Sequence, residues 1–202
     1  MASDQISADS IHTARLELAA LDGDLLEQLL RDPGLVSRFS VPAGWPDADD
    51  LAHLRRWRRS AVDDGGHDNR WRARAMVDTT GMFVGHAGFH GPPVSIETAL
   101  DDPTFVGRVD RCVGGVVEIG YTVLAPFRAA GFATEAAAGL LEWAESTGEV
   151  GAVVASVRPD NRASLTVLDR LGRFEPIGRC RDGDHEELVF RRDLNGDHHG
   201  DG

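Results

Sequence analysis

Apolar and polar positions along this chain recur sometimes at strand spacing and sometimes at helix spacing, and the switches between the two lay out its elements. His12–Leu18 alternates and predicts an opening strand. Asp22 stands where a helix cap would, ahead of Leu25–Leu30, and Pro33-Gly34 ends that helix. Asp47–Val62 predicts a second helix, with Leu51, Leu54 and Trp57 near helical spacing. Gly65–Asn69 reads as a loop. Arg70–Val77 and Met82–Phe89 flank the turn Thr79-Thr80-Gly81 and predict a hairpin. The stretch holding Pro92, Pro93 and Pro103 is too broken for regular structure and reads as a loop near the site.

The second half is patterned more sharply. Val116–Leu124 predicts a strand. Gly131–Thr147 predicts a long helix, with Ala133, Ala137, Leu140, Leu141 and Ala144 on one stripe. Ala152–Val157 is a β-branched strand, and Asn161–Leu171 a helix carrying Leu165, Leu168 and Leu171. Gly178–Cys180 and Leu188–Arg192 predict two last strands joined at Asp182-Gly183-Asp184. This order predicts a mixed α/β (α+β) domain over 11–194 and excludes an all-parallel sheet. Residues 1–10 and 195–202 read as disordered ends. The pair His198-His199, set among Asp and Gly, reads as solvated tail, and no metal site is expected.

Composition narrows the function classes. Of 202 residues 42% are apolar, enough for a core, and the net charge of −12 disfavours nonspecific binding to nucleic acid or anionic lipid. A polyanionic ligand therefore needs locally arranged donors. Cys112 and Cys180 have no metal-site spacing and read as reduced thiols of a cytoplasmic protein. The opening residues lack a signal-peptide pattern, and no apolar run approaches the roughly 20 residues that span a bilayer. The Arg55-Arg56-Trp57-Arg58-Arg59 cluster, near several aspartates, reads as a solvated helix face. Trp45, Trp57 and Trp71 read as core or interface.

The junction after Val116–Leu124 carries the chemistry. Arg128-Ala129-Ala130-Gly131-Phe132-Ala133-Thr134 leads from a strand into the long helix. Its small residues admit a ligand to the backbone. The first helical N–H groups are unpaired and partly positive, so the turn can cradle a phosphate without a basic surface. Neither a P-loop nor a G-x-G-x-x-G pattern is present.

The R-x-x-G-x-A pattern of that turn resembles the signature of the GCN5-related N-acetyltransferases. Glu118-Ile119-Gly120-Tyr121, Phe132-Ala133-Thr134-Glu135-Ala136 and Asn161-Arg162-Ala163-Ser164 with Leu171-Gly172 are similar, in order, to segments of the branch that acetylates ribosomal-protein N-termini. The resemblance runs from about His12 to Leu194. It implies a mixed, mostly antiparallel sheet of about six to seven strands flanked by about four helices. It departs from the family at Ala129 and Ala130, where Gly and a basic residue are usual. It departs again at Arg173, which interrupts L-G-F, and at Leu168, where several relatives place a tyrosine.

The resemblance implies acetyl-CoA as co-substrate and direct attack of an amine on its thioester. Thr122, Val123 and Leu124 would lie along pantetheine, with a backbone N–H near Val123 polarising the carbonyl. Arg128, Ala129, Ala130, Gly131, Phe132, Ala133 and Thr134 would hold the pyrophosphate. Asn161 would hold pantetheine or cap its own helix. Ser164 would serve the departing sulfur or bond its own backbone. Glu118, a carboxylate on an otherwise apolar strand, is the candidate base. His86, Gly88 and His90 share a face at strand spacing, and His90 and Tyr121 are candidate acceptor contacts. The acceptor is a protein N-terminus or a small amine, and a homodimer is compatible with the sequence. The alternative is an acyl-CoA-binding module of the same fold without turnover.

Overall fold

The computed structural model describes residues 10–63, 69–110 and 112–194. The two expected disordered ends, apart from Ser10, and most of the Gly65–Asn69 loop lie outside them. The chain divides into two compact units, Met1–Gly88 with Tyr121–Ala136, and Phe89–Gly120 with Ala137–Gly202.

In the first unit β1 (Ile11–His12) pairs with β2 (Leu16–Ala20), β2 with β3 (Ala73–Asp78) and β3 with β4 (Phe83–Phe89), all antiparallel. The expected strand over His12–Leu18 is thus broken. Thr13 folds back, its hydroxyl accepting the Leu16 N–H at 3.0 Å, and Arg15 leaves the ladder to meet Glu135. Helix α1 (Gly23–Arg31) starts where expected because Asp22 accepts the Leu25 N–H at 2.8 Å. Helix α2 (Ala48–Asp63) follows. Leu25, Leu26, Leu29 and Leu54 pack with Phe39, Ala75, Val77 and Phe83 into one core, against which Trp45 and Trp57 rest. Trp71 is fully buried. Arg55, Arg56 and Arg59 are exposed and Arg58 pairs with Glu27 at 3.1 Å, so this face is solvated as expected.

The β3–β4 ladder shifts register between Met76 and Val77. The ladder passes over Val84, and its neighbour Gly85, paired with Met76, stands at φ 154°. A Cβ there would stand 2.1 Å from the Thr122 carbonyl oxygen. Only glycine lets the backbone at Thr122 come this close.

In the second unit the first residues of β6 (Gly115–Val123) run parallel to β7 (Val150–Val157). Next in order come β9 (His185–Asp193), β8 (Glu175–Asp182) and β5 (Val106–Gly107), each antiparallel to its neighbour. Helix α4 (Phe132–Thr147) buries Ala137, Leu140, Leu141 and Ala144 of the expected stripe, while Ala133 is only half-buried. Helix α5 (Arg162–Leu171) buries Val167 and Leu168. The proline-rich stretch is more ordered than expected. Ser95 caps the short helix α3 (Ile96–Ala99), and β5 closes the sheet edge. Ile96 packs on Val116, Ala152 and Val154.

Arg173, which interrupts the familiar L-G-F, is absorbed in the bend after α5. Gly172 and Arg173 both adopt positive φ, 66° and 62°, and β8 then starts at Glu175. The last two strands are longer than the sequence pattern suggests, because ladder hydrogen bonds continue through polar residues on both sides of the Asp182-Gly183-Asp184 turn. Among the described residues there are nine strands and five α-helices. The surplus over the expected count comes from the two-residue strands β1 and β5 and from α3. The fold class is the one expected, mixed and mostly antiparallel.

Candidate active site

In the first unit, β6 ends at Val123 and a single 3₁₀ turn, Ala125–Phe127, reverses the chain. Arg128, Ala129 and Ala130 are exposed, and α4 starts at Phe132. The N–H groups of Phe132, Ala133 and Thr134 head the helix and have no acceptor within it. Ala129 and Gly131 take positive φ, 62° and 85°. Those values turn the backbone sharply in front of the helix. Ala129 therefore sits in a conformation that favours glycine, which gives a physical reason for the glycine usual there.

The charge at this turn is not what the local sequence suggests. Arg128 directs its Nε–H to the Val123 carbonyl oxygen at 3.0 Å, back toward the strand end. A second cation, Arg15, arrives from the β1–β2 connection. Its Nη1 donates to the Ala130 carbonyl oxygen at 3.0 Å, and its guanidinium lies 4.9 Å from the Phe132 ring centroid. Glu135 holds it there, accepting from Arg15 N at 2.6 Å, Arg15 Nε at 2.7 Å and the Thr13 hydroxyl at 2.6 Å. Burial works to raise the Glu135 carboxyl, but these bonds keep it below the usual range. Sequence reasoning missed Arg15. Glu135 was visible only as part of a familiar segment.

Tyr121, Thr122, Val123 and Leu124 are half-buried in the same unit. The Leu124 N–H donates to the Val84 carbonyl oxygen at 2.9 Å.

The second unit gathers Glu118, His90 and Ser156. The β6–β7 ladder ends at Glu118. Glu118 Oε2 lies 3.1 Å from His90 Nδ1, and the His90 backbone N–H donates to the Glu118 carbonyl oxygen at 2.9 Å. Burial would raise the Glu118 carboxyl, but His90, with help from Ser156, holds it low. Glu187, on β9, is pushed up by burial and then by Asp182 and Glu118. Cys180, opposite Glu187 in the β8–β9 ladder, is likewise raised, by burial first and then by Glu187. Cys112 and Cys180 are both free thiols.

At the start of α5, Asn161 Oδ1 accepts the Ser164 N–H at 3.1 Å. The plain helix cap is therefore present, and the Asn161 amide N–H₂ remains for other partners. His86 lies in the first unit. Its ring packs edge-on against Trp57 with centroids 4.7 Å apart, and its Nε2 is buried without a partner. Burial, with His53 and Arg56, pushes its pKa down to about 3, so it is a neutral core histidine.

With this geometry in view, the comparisons agree. Residues 15–173 match the acetyltransferase (GNAT) domain family. The chain is 25% identical over 169 residues to the uncharacterized N-acetyltransferase YjdG of Bacillus subtilis (strain 168), covering 80% of this chain and 88% of that one. A GNAT-family acetyltransferase from Bacillus anthracis superposes with TM-score 0.58 at 15% identity, over 92% of this chain and 98% of the other. RimL, a ribosomal L7/L12 α-N-protein acetyltransferase solved in complex with coenzyme A, superposes with TM-score 0.61 at 18% identity, over 93% and 99%. The fold, the turn ahead of α4 and the matched residues place the chain in one family: it belongs to the GNAT N-acetyltransferases.

Proposed function

We propose that this protein transfers an acetyl group from acetyl-CoA to a primary amine, by direct attack of the amine on the thioester. The observation that carries the reading is the sharp turn at Ala129–Gly131, which opens onto the unpaired N–H groups of α4. An acidic protein of net charge −12 has no general attraction for a polyphosphate, so a local cradle of this kind is what coenzyme A needs.

The roles follow the chain. Main-chain donors of Arg128–Thr134 take the pyrophosphate. Thr122, Val123 and Leu124 run beside pantetheine, and a β6 N–H near Val123 polarises the carbonyl. The Asn161 amide holds pantetheine, and the Ser164 hydroxyl stabilises the departing sulfur. The proton shed by the amine is taken up at the Glu118–His90 pair. Tyr121 and His90 contact the acceptor, which is a protein N-terminus or a small-molecule amine. An N-terminal peptide is supported by the likeness to RimL. The test is release of free thiol from acetyl-CoA against a panel of N-terminal peptides, polyamines and aminoglycosides. Tight acetyl-CoA binding without thiol release for any amine would instead make this a binding module.

A further inference from the structure

His90 and Glu118 are joined twice, once through the imidazole and once through the backbone. The side-chain contact is 3.1 Å between Nδ1 and the carboxylate, and the His90 N–H reaches the Glu118 carbonyl oxygen at 2.9 Å. A carboxylate facing Nδ1 fixes a proton on that nitrogen. The lone pair then resides on Nε2, at the opposite side of the ring.

Nε2 has a defined surrounding. A Cβ on Gly120 would lie 2.7 Å from it, closer than any real contact. The imidazole thus rests over the backbone of β6 where Gly120 has no side chain. The His90 side chain is 55% exposed, against 30% for Glu118. The carboxylate is the more enclosed of the two and has its bonds to His90 and Ser156 already made. The imidazole is the more open of the two groups to an approaching molecule.

Resting on the acetyl-transfer reading above, we propose that His90, through Nε2, is the general base of the reaction, that Glu118 is its positioning residue, and that Gly120 makes room for the ring. The amine nitrogen pair forms the C–N bond to the carbonyl carbon. The C–S bond breaks with its pair left on sulfur, which is protonated to the free thiol. An acceptor that enters as an ammonium sheds two protons. One ends on sulfur, and the other passes through His90 Nε2 to solvent.

Among the described residues, Glu118 from β6 and Glu187 from β9 face the imidazole electrostatically, and both are acidic.

The assay is thiol release at saturating acceptor across pH 5–9, with acetyl-CoA affinity measured by calorimetry on the same proteins. The acceptor's own ionisation is common to all variants, so differences between profiles belong to the protein. His90→Gln should lower kcat about 100-fold or more, remove the acid limb of the profile and leave acetyl-CoA affinity within about 2-fold. Glu118→Gln should lower kcat only about 10-fold and keep that limb. Gly120→Ala should lower kcat by displacing the ring, again with acetyl-CoA affinity retained. The opposite pattern, in which Glu118→Gln removes the limb and His90→Gln keeps it, makes Glu118 the base and overturns the proposal. Ring nitrogen NMR of the unmodified protein gives a second reading that needs no folded variant. It should show the neutral His90 ring protonated at Nδ1 and bare at Nε2, and the reverse tautomer also overturns the proposal. If the unmodified protein releases no thiol with any amine, the proposed function itself fails, whatever the tautomer.

Discussion

Replacing Glu135 by glutamine tests how the phosphate turn is held together. The carboxylate accepts from the Thr13 hydroxyl, the Arg15 backbone N–H and the Arg15 guanidinium, all at 2.6–2.7 Å. A glutamine carbonyl oxygen can keep the first two. Its amide N–H₂ then confronts the guanidinium, so the ion pair and its charge-assisted bond are lost. A hydrogen bond to a charged group is worth roughly 1.5–3 kcal/mol. The Arg15 side chain is 48% exposed, however, and water screens it, which moves the figure toward the ~0.2–1 kcal/mol of surface pairs. The Glu135 side chain is only 16% exposed, so the pair lies between these limits and a loss of about 1–2 kcal/mol is expected. The pH dependence has a definite sign. The folded Glu135 carboxyl is held below its unfolded value. Its contribution is present above the unfolded value, roughly pH 4.3, and fades as pH falls through the folded one. Urea unfolding of both proteins at pH 7 and again near pH 3 measures this. The gap between them should be clear at neutral pH and shrink in acid. Equal stabilities at pH 7, or a gap that persists undiminished in acid, would show that the Arg15–Glu135 contact does not brace the turn.

Three further predictions concern single positions. Gly131→Val should weaken acetyl-CoA binding more than Arg128→Ala, because Gly131 stands at φ 85° while the Arg128 guanidinium is turned onto the Val123 carbonyl oxygen; calorimetry giving the reverse order would show that side-chain charge dominates the cradle. Asn161→Ala should cost about 1 kcal/mol of stability and Asn161→Asp almost none, since aspartate also caps a helix. Both should weaken acetyl-CoA binding if the amide N–H₂ holds pantetheine, and unchanged affinity in the two variants removes that contact. His86 stays neutral in the folded protein down to about pH 3, whereas the unfolded chain binds a proton there below roughly pH 6.5. Stability therefore falls on acidification through that window by up to ~1.4 kcal/mol per pH unit, and His86→Leu should flatten this slope in urea unfolding at pH 7.5 and 5. Parallel slopes would mean that His86 does take a proton in the folded state.

The elements that the sequence announced are those whose signal is local. Asp22 caps α1 and Asn161 caps α5 because a short acceptor side chain precedes a run with helical periodicity. The stripe Ala137, Leu140, Leu141 and Ala144 is buried as its spacing demands. Failures came where tertiary contacts decide. His12–Leu18 alternates like a strand, yet Glu135, more than a hundred residues away, draws Arg15 out of the ladder. The proline-rich stretch looked irregular, but one serine cap and one β8 neighbour give it α3 and β5.

The same distinction explains what was legible in the site. The turn at Arg128–Thr134 is a property of consecutive residues, so its small side chains and helix start could be read directly. The partners that complete it could not. Ala130 supplies no charge, and counting cations within the turn left Arg128 alone; the fold brings Arg15 to the Ala130 carbonyl oxygen across 115 positions. Glu118 and His90 were each visible as a polar residue in an apolar strand setting. Their pairing depends on how His90, just past the end of β4, aligns with Glu118, and register is not encoded in the alternation of either segment. Gly120 is the link between the two levels. As part of a familiar four-residue segment it carries no evident chemistry, and only the position of the His90 ring shows that a side chain there would have to displace it.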